Sequence, residues 1–338
     1  MPPVRDSAAK LLKLATLPLA AAILVALGLK VGFADTAARL RHVVVPLVAA
    51  AAGLSLLEET LKAWRWRAIL GILGCRIAYR EALFLIFANL PLRGVASSHA
   101  GDLSKAAYLK RWHDTSLFVS VSSMLAELGL SLLCLLAITA VGCIAGQRNP
   151  CRLLEMSVLG LCLGCAFLGL SRWAGWRAWV VARVSRLARE KATRAVEQAL
   201  SGYARCGLRH AVALATASLI LESAKLVSFF LVCRAVGVGI PFRDIVVFLP
   251  AVMVLAKLPF TPAGLGTREA AILFFFKDRA SADALLATGV LFSFAEYIAP
   301  MLVGLPLVKL FLDRILLGRP LPSPANVIPP SSEPRLVD

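Results

Sequence analysis

The sequence predicts an all-α polytopic membrane protein with about six spanning helices and two re-entrant helical hairpins, arranged as an inverted repeat. Three observations predict it. Hydrophobic residues make up 59% of the chain and charged ones only 17%, with a mean hydropathy of +0.78, where soluble domains carry about a quarter charged residues. Basic residues gather between the apolar stretches, as in Trp64-Arg65-Trp66-Arg67 and across 172–210, which is the distribution of cytoplasmic loops. Residues 56–83 also align without gaps on 219–246, a shift of 163, and such self-similarity marks a repeat.

The elements follow in order. The first apolar segment, 14–29, runs into Lys30 without a small-residue cleavage site, so a spanning helix over 11–32 is expected rather than a signal peptide. Residues 44–57 carry no charge and sit in a helix expected over 43–63. A short apolar piece, 82–92, ends in Asn89-Leu90-Pro91 and a Gly/Ser loop, and an amphipathic half-helix is expected over 103–112. Residues 117–146 carry one charge, Glu127, and 156–171 carry none; helices are expected over 115–146 and 152–171. The stretch 175–205 is rich in Arg and Ala with apolar residues at helical spacing, too charged to span. It reads as a helix on the membrane surface.

A helix over 208–235 comes next, then a second short apolar piece, 245–256, Leu258-Pro259, a Gly-rich loop and a half-helix from Thr267. The last spanning helix is expected over 283–313, and the Pro-rich tail 319–338 is expected to be disordered. Residues 1–318 thus form one transmembrane domain, with repeat copies at about 43–146 and 208–313.

Identity in the aligned window is 6 of 28, and what persuades is which residues match. Glu59 meets Glu222, Lys62 meets Lys225, Gly74 meets Gly237, Ile77 meets Ile240, and Arg80-Glu81 meets Arg243-Asp244. With small gaps, Leu90-Pro91 answers Leu258-Pro259, Ala100-Gly101 answers Ala263-Gly264, Ser104-Lys105 answers Thr267-Arg268, and Ala126-Glu127 answers Ala295-Glu296. These include the charges a lipid-embedded helix would least carry by chance. Counting crossings makes the copies antiparallel. Inverted repeats with broken helices belong to secondary transporters, whose substrates bind near the midplane between copies. The pieces 82–92 and 245–256 are too short to span, as a re-entrant hairpin requires.

Other classes fall away. The net charge of +17 invites a nucleic-acid partner, but its loop placement argues for membrane topology instead. Cys162-Leu-Gly-Cys165 has metal-like spacing without His or acidic company, and reads as small residues at a helix contact. Cys143 and Cys151 flank a turn at the expected outer face; a disulfide there stands beside plain packing cysteines as alternatives. Gly264-x-Gly266 lacks the strand that a nucleotide fold needs. No nucleophile–base set, metal cluster or cofactor is expected.

Candidate substrate-binding residues are the embedded polar ones. Glu59–Lys62 and Glu222–Lys225 are three apart, so each pair shares a helix face, as a structural ion pair or as cavity lining. Glu127 and Glu296 lie inside spanning helices and are expected to line a cavity. Lys105 and Arg268 are each expected in the first turn of a half-helix, where a cation joins the helix N-terminus to attract an anion; interfacial snorkelling is the alternative. Asp102 is a candidate cap. Glu269 is placed to balance Arg268 when no anion is bound.

Trp64-x-Trp66-x3-Leu70, Asn89-Leu90-Pro91…Gly101-Asp102-x-x-Lys105 and Leu258-Pro259-x-x-Pro262-x-Gly264-x-Gly266-x-Arg268-Glu269 resemble the lysylphosphatidylglycerol synthase transmembrane-domain family. The resemblance covers roughly 10–315, and Pro-x-Gly-x-Gly-x-Arg-Glu is its most specific part. The family includes the lipid-flipping half of the multiple peptide resistance factor and stand-alone bacterial proteins. The resemblance implies a polytopic lipid translocase or lipid-handling protein of the bacterial cytoplasmic (inner) membrane. Little chain follows the last expected helix, so an aminoacyl-transferase domain is not expected. The first loop, Pro91-Leu92-Arg93-Gly94 then Ser97-Ser98-His99, departs from the family's Gly-rich turn.

Two function classes result. One is a flippase-like translocase moving an anionic lipid or lipid-linked headgroup between leaflets. The other is a membrane-embedded transferase acting on a lipid-linked sugar, which commonly wants acidic residues on a large outer loop; residues 33–42 offer only Asp35. A non-transporting lipid-binding partner of a lipid-modifying enzyme is a third reading. Phosphatidylglycerol derivatives, polyprenyl-phosphate sugars and hopanoids all fit. Both termini are expected in the cytoplasm, with 33–42, 147–151 and the second hairpin mouth outside.

Overall fold

The structure, a computed structural model, describes residues 29, 33–96, 98–145, 152–187, 190–204, 206–257, 261 and 264–317. The helix expected over 11–32 (Leu29 apart), Cys151 and the tail 319–338 lie outside the described residues. No strand occurs among the described residues. Among the described residues, three helices are long and apolar enough to cross a membrane: Leu117–Ala145, Leu208–Ala235 and the continuous run Ala282–Asp313. Leu57, Leu125, Ile144, Ile220 and Leu302 are exposed on the long helices. Lipid chains are the solvent that suits them. This is an integral membrane protein.

The expected outer loop over 33–42 is instead a short helix, α1 (Phe33–Arg41). α2 (Val45–Ile72) opens with Pro46 in its first turn, where a missing N–H costs nothing. It does not end near 63. Its charged C-terminal part stays helical because Arg65 and Trp66 are buried against neighbouring helices, so charges that look like loop residues are satisfied inside the bundle. Gly74 ends the helix at φ 88°, with Cys75 N–H donating to the Leu70 carbonyl at 2.9 Å. α9 (Leu208–Ala235) has the same 28 residues. It closes the same way, with Gly237 at φ 80° and Val238 N–H on the Cys233 carbonyl at 2.8 Å. Glycine is needed at both ends because L residues avoid positive φ.

The two helices run antiparallel. Val44 N–H, before α2, donates to Ala235 O at the end of α9 at 3.0 Å, while Ile69 and Leu73 pack on Leu214 near the start of α9.

The hairpin arms are longer than expected. α3 (Tyr79–Ala96) replaces the piece 82–92, and α4 (Ser98–His113) replaces the half-helix 103–112. Pro91 sits inside α3 rather than ending it. A proline has no N–H for the carbonyl four residues back, here Phe87. Gly304 of α13 (Ala299–Leu317) packs on that freed carbonyl: a Cβ at 304 would collide with Phe87 O and come within 3.0 Å of Pro91 Cδ. Gly304→Val should therefore cost about 1–3 kcal/mol, read as a lower unfolding midpoint in detergent. An unchanged midpoint would show that the contact yields freely.

α5 (Leu117–Ala145) and α6 (Arg152–Arg172) fall where expected. Gly160 and Gly164 of α6 lie against Leu136 and Leu133, so the small-residue contact anticipated at Cys162 is made by its glycine neighbours. The surface helix 175–205 is two helices, α7 (Ala174–Leu187) and α8 (Glu190–Ala204). Tyr203 of α8 donates its hydroxyl to Ser122 O at 2.7 Å.

α10 (Phe242–Lys257) and α11 (Thr267–Phe276) make the second hairpin. α12 (Ala282–Ser293) continues through a π-helical turn, Phe294–Ile298, into α13. α10 packs on α5 and α13 packs on α3, so each hairpin leans on the closing helix of the other half.

Candidate functional site

A polar stripe lies where α2 meets α9. On α2 it comprises Ser55, Glu58, Glu59, Lys62 and Arg65, and on α9 Ser218, Glu222, Lys225 and Ser228. Both runs recur every three or four residues, so each occupies one face. Except for the partly open Lys62 they are buried, while Leu57, Trp64, Leu219, Ile220 and Val227 on the same helices are exposed. Lipid dictates this arrangement, because an ion facing hydrocarbon is far costlier than one facing another ion.

Both expected pairs form. Lys62 Nζ lies 2.7 Å from Glu59 Oε1, and Lys225 Nζ lies 2.8 Å from Glu222 Oε2. Each then gains a second partner: Glu58, four residues back on the same helix, at 3.7 Å from Lys62, and Lys257 of α10, which the sequence alone does not reveal, at 3.7 Å from Glu222. Glu127 and Glu296 both converge on α2. Arg65 Nη2 lies 3.4 Å from Glu127 Oε1, and Arg65 Nη1 donates to Ser218 at 3.0 Å. Ser55 donates to Glu296 Oε1 at 2.8 Å. The π turn sets Glu296 and Tyr297 in a widened coil, a feature frequent at functional sites. The cluster is not sealed: the side chains of Lys62 and Lys257 stay 21% and 28% accessible.

The second hairpin turns where the sequence expects it, with the half-helix starting at Thr267. Gly264 and Gly266 take φ of 72° and 83°, which turns the chain sharply into α11. A Cβ on Gly264 would come within 2.8 Å of Ala256 O and 3.2 Å of Arg268 Nη2. Arg268, at the second position of α11, is 2% exposed. Its Nη1 donates to Ser293 at 2.7 Å, and its guanidinium carbon stands 4.0 Å from the Tyr297 ring centroid. Glu269 accepts from Gly266 N–H at 2.6 Å and from the Ser293 hydroxyl. Arg268 and Glu269 are thus joined through Ser293, which ties the hairpin to the π turn.

The first hairpin departs from this pattern. α4 starts at Ser98, so Lys105 stands two turns inside the helix rather than at its N-terminus, and the expected anion site loses its helix end. Lys105 is buried with Nζ 5.1 Å from the Trp66 ring centroid. The Asp102 side chain lies outside the described residues. Ser104 donates to Asn89 at 2.8 Å across the hairpin. No group of three His, Cys, Asp or Glu able to hold a metal occurs among the described residues. Two cavities, of about 670 and 370 Å³, flank the loop 73–77 at the end of α2 and bear Arg67, Arg76, His113 and His210.

Residues 11–304 match the family described as the lysylphosphatidylglycerol synthase TM region. The chain belongs to that family. Among curated proteins no match was found. Family membership makes this a membrane protein of a group concerned with lipid modification or translocation.

Sequence reasoning passed over Ser55, Glu58, Arg65, Ser218, Lys257, Ser293 and Tyr297. Ser55 and Ser218 stand 163 apart, so the repeat offset itself pointed to them. Arg65 lies three residues beyond Lys62 on the same face, a second usable signal. Nothing local marks Lys257 or Ser293.

Proposed function

We propose that the protein is a flippase-like translocase that moves an anionic lipid or lipid-linked headgroup between leaflets of the bacterial cytoplasmic membrane. The observation that carries this is the pair of Glu–Lys couples brought together on antiparallel core helices, with Lys62 and Lys257 partly accessible. A headgroup phosphate needs cations it can reach, and carboxylates already bound to them give it partners to exchange with. Helices of equal length closed by the same positive-φ glycine, 163 residues apart and antiparallel, support an inverted repeat over about 43–146 and 208–313. In that reading 82–113 and 242–276 are the two re-entrant elements, and rocking between the copies opens the cluster to each side in turn.

Arg268 and Glu269 enter when the second hairpin moves: the headgroup takes Ser293's place on the guanidinium fork. Lys105, Asp102, Glu127 and Glu296 complete the path, with Glu127 and Glu296 lining it from α5 and the π turn. The loops 73–77 and 113–116 and the residues 206–207 before α9 share one end of the bundle and would face the cytoplasm, as would both termini.

The test is leaflet exchange of fluorescent phosphatidylglycerol in reconstituted vesicles. Lys62→Gln/Lys225→Gln should slow exchange at least about tenfold, equal to about 1.4 kcal/mol, with the helical content unchanged. Wild-type exchange no faster than in protein-free vesicles, for phosphatidylglycerol and for a polyprenyl phosphate alike, would favour the transferase or lipid-binding partner readings.

A further inference from the structure

Among the described residues, the polar cluster between α2 and α9 holds one more carboxylate than it has cations to answer. Glu58, Glu59, Glu127, Glu222 and Glu296 face Lys62, Arg65, Lys225 and Lys257, five acids against four bases. Lys105 and the Arg268–Glu269 couple belong to the hairpins. Four of the five acids have a donor: Lys62 for Glu59, Lys225 for Glu222, Arg65 for Glu127, and Ser55 for Glu296.

Glu58 differs. It is 3% exposed, and neither of its oxygens accepts a hydrogen bond among the described residues. Its nearest cation, Lys62, is 3.7 Å away and is held more closely by Glu59. The charged groups facing it are Glu59 and Lys62 on its own helix, Lys225 from α9 and Glu296 from the π turn. Arg65 and Lys257 are turned to Glu127 and Glu222 instead. An ionised carboxylate buried without donors is the costliest state open to this side chain. Packing does not demand an acid here either, because the matching position in the second copy is Leu221, buried at 1%.

We propose that this cluster is a proton-binding site in which Glu58 carries the proton, and that proton binding there and anion binding at Lys62 favour each other. The step needs no other reactant. A hydronium ion gives its proton to a Glu58 carboxylate oxygen, forming the O–H bond and leaving water, and on release the proton returns to water past Lys62, whose side chain is 21% accessible. Protonation removes one of the two negative charges beside Lys62, the one at 3.7 Å, and so lowers the repulsion an incoming phosphate meets while Glu59 keeps its bond; linkage makes the effect reciprocal. The coupling half rests on the translocase reading; the proton site does not.

Infrared spectra of the purified protein in zwitterionic nanodiscs test the first half. A protonated-carboxyl stretch is expected at neutral pH in the wild type and should be missing from Glu58→Gln and from Glu58→Leu, the latter copying Leu221. A wild-type spectrum without that band, or a band that persists in either variant, overturns the assignment. Fluorescent phosphatidylglycerol binding to the same samples tests the second half. Wild-type affinity should rise about fivefold or more from alkaline to acidic buffer, and Glu58→Gln should bind equally at both. A pH-independent wild type that shows the band overturns the coupling alone. No binding by the wild type at any pH counts against the translocase reading itself.

Discussion

Glu222→Leu is expected to lower stability in detergent by about 3–5 kcal/mol, the range for breaking a buried ion pair from one side. The magnitude follows from what is left behind. Glu222 is 1% exposed and is the carboxylate shared by Lys225 at 2.8 Å and Lys257 at 3.7 Å. An exposed ion pair is worth about 0–1 kcal/mol, and hydrogen bonds between membrane helices average about 0.6 kcal/mol. Neither applies, because truncating Glu222 strands the Lys225 ammonium in the bundle core and also takes the carboxylate from the more accessible Lys257. Glu222→Leu/Lys225→Leu should recover most of the loss by removing one stranded cation together with its partner. Glu59→Leu should cost less than Glu222→Leu, since the Lys62 side chain remains 21% accessible and keeps Glu58 nearby. The measurement is the unfolding midpoint of the four proteins, wild type included, in one detergent. A Glu222→Leu shift equivalent to less than about 1 kcal/mol would mean that water or lipid reaches the lysines freely.

Arg268→Ala is expected to weaken binding of fluorescent phosphatidylglycerol by about 1–3 kcal/mol, the worth of a hydrogen bond to a charged group, and to slow leaflet exchange in parallel. The variant removes the only side chain that joins α11 to both Ser293 and the Tyr297 ring among the contacts described above. Arg268→Lys should restore little. A lysine keeps the charge but lacks the planar fork that stacks on Tyr297 while donating to Ser293. Because Arg268→Ala removes the guanidinium that Ser293 joins to Glu269, Arg268→Ala/Glu269→Gln serves as the folding control. Binding and exchange both unchanged in a folded Arg268→Ala would place the headgroup site elsewhere.

The second hairpin shows how far local pattern reaches. Pro262, Gly264 and Gly266 announce a sharp turn, and both glycines described by the structure take positive φ there. The first hairpin lacks that glycine pattern, and its arms are near-continuous helices in which Pro91 is accommodated rather than obeyed. What accommodates it is Gly304, more than two hundred residues away in the chain. No window around residue 91 contains that information. The same reason explains α2, whose charged second half reads as a loop until Ser218 and Glu127 are set beside Arg65.

By itself the sequence determined the membrane class, the all-helical build, the bounds of α9 and the two Glu–Lys couples. Each depends on neighbours within about one helical turn, where spacing converts directly into geometry, or on hydropathy, which lipid converts into burial. Only the tertiary structure decided that Lys257 would join Glu222, that Ser293 would stand between Arg268 and Glu269, and that Glu58 would be left without a donor. Those outcomes depend on which helices pack together, and a side chain's partners across a packed interface are set by the whole bundle rather than by its own stretch of chain.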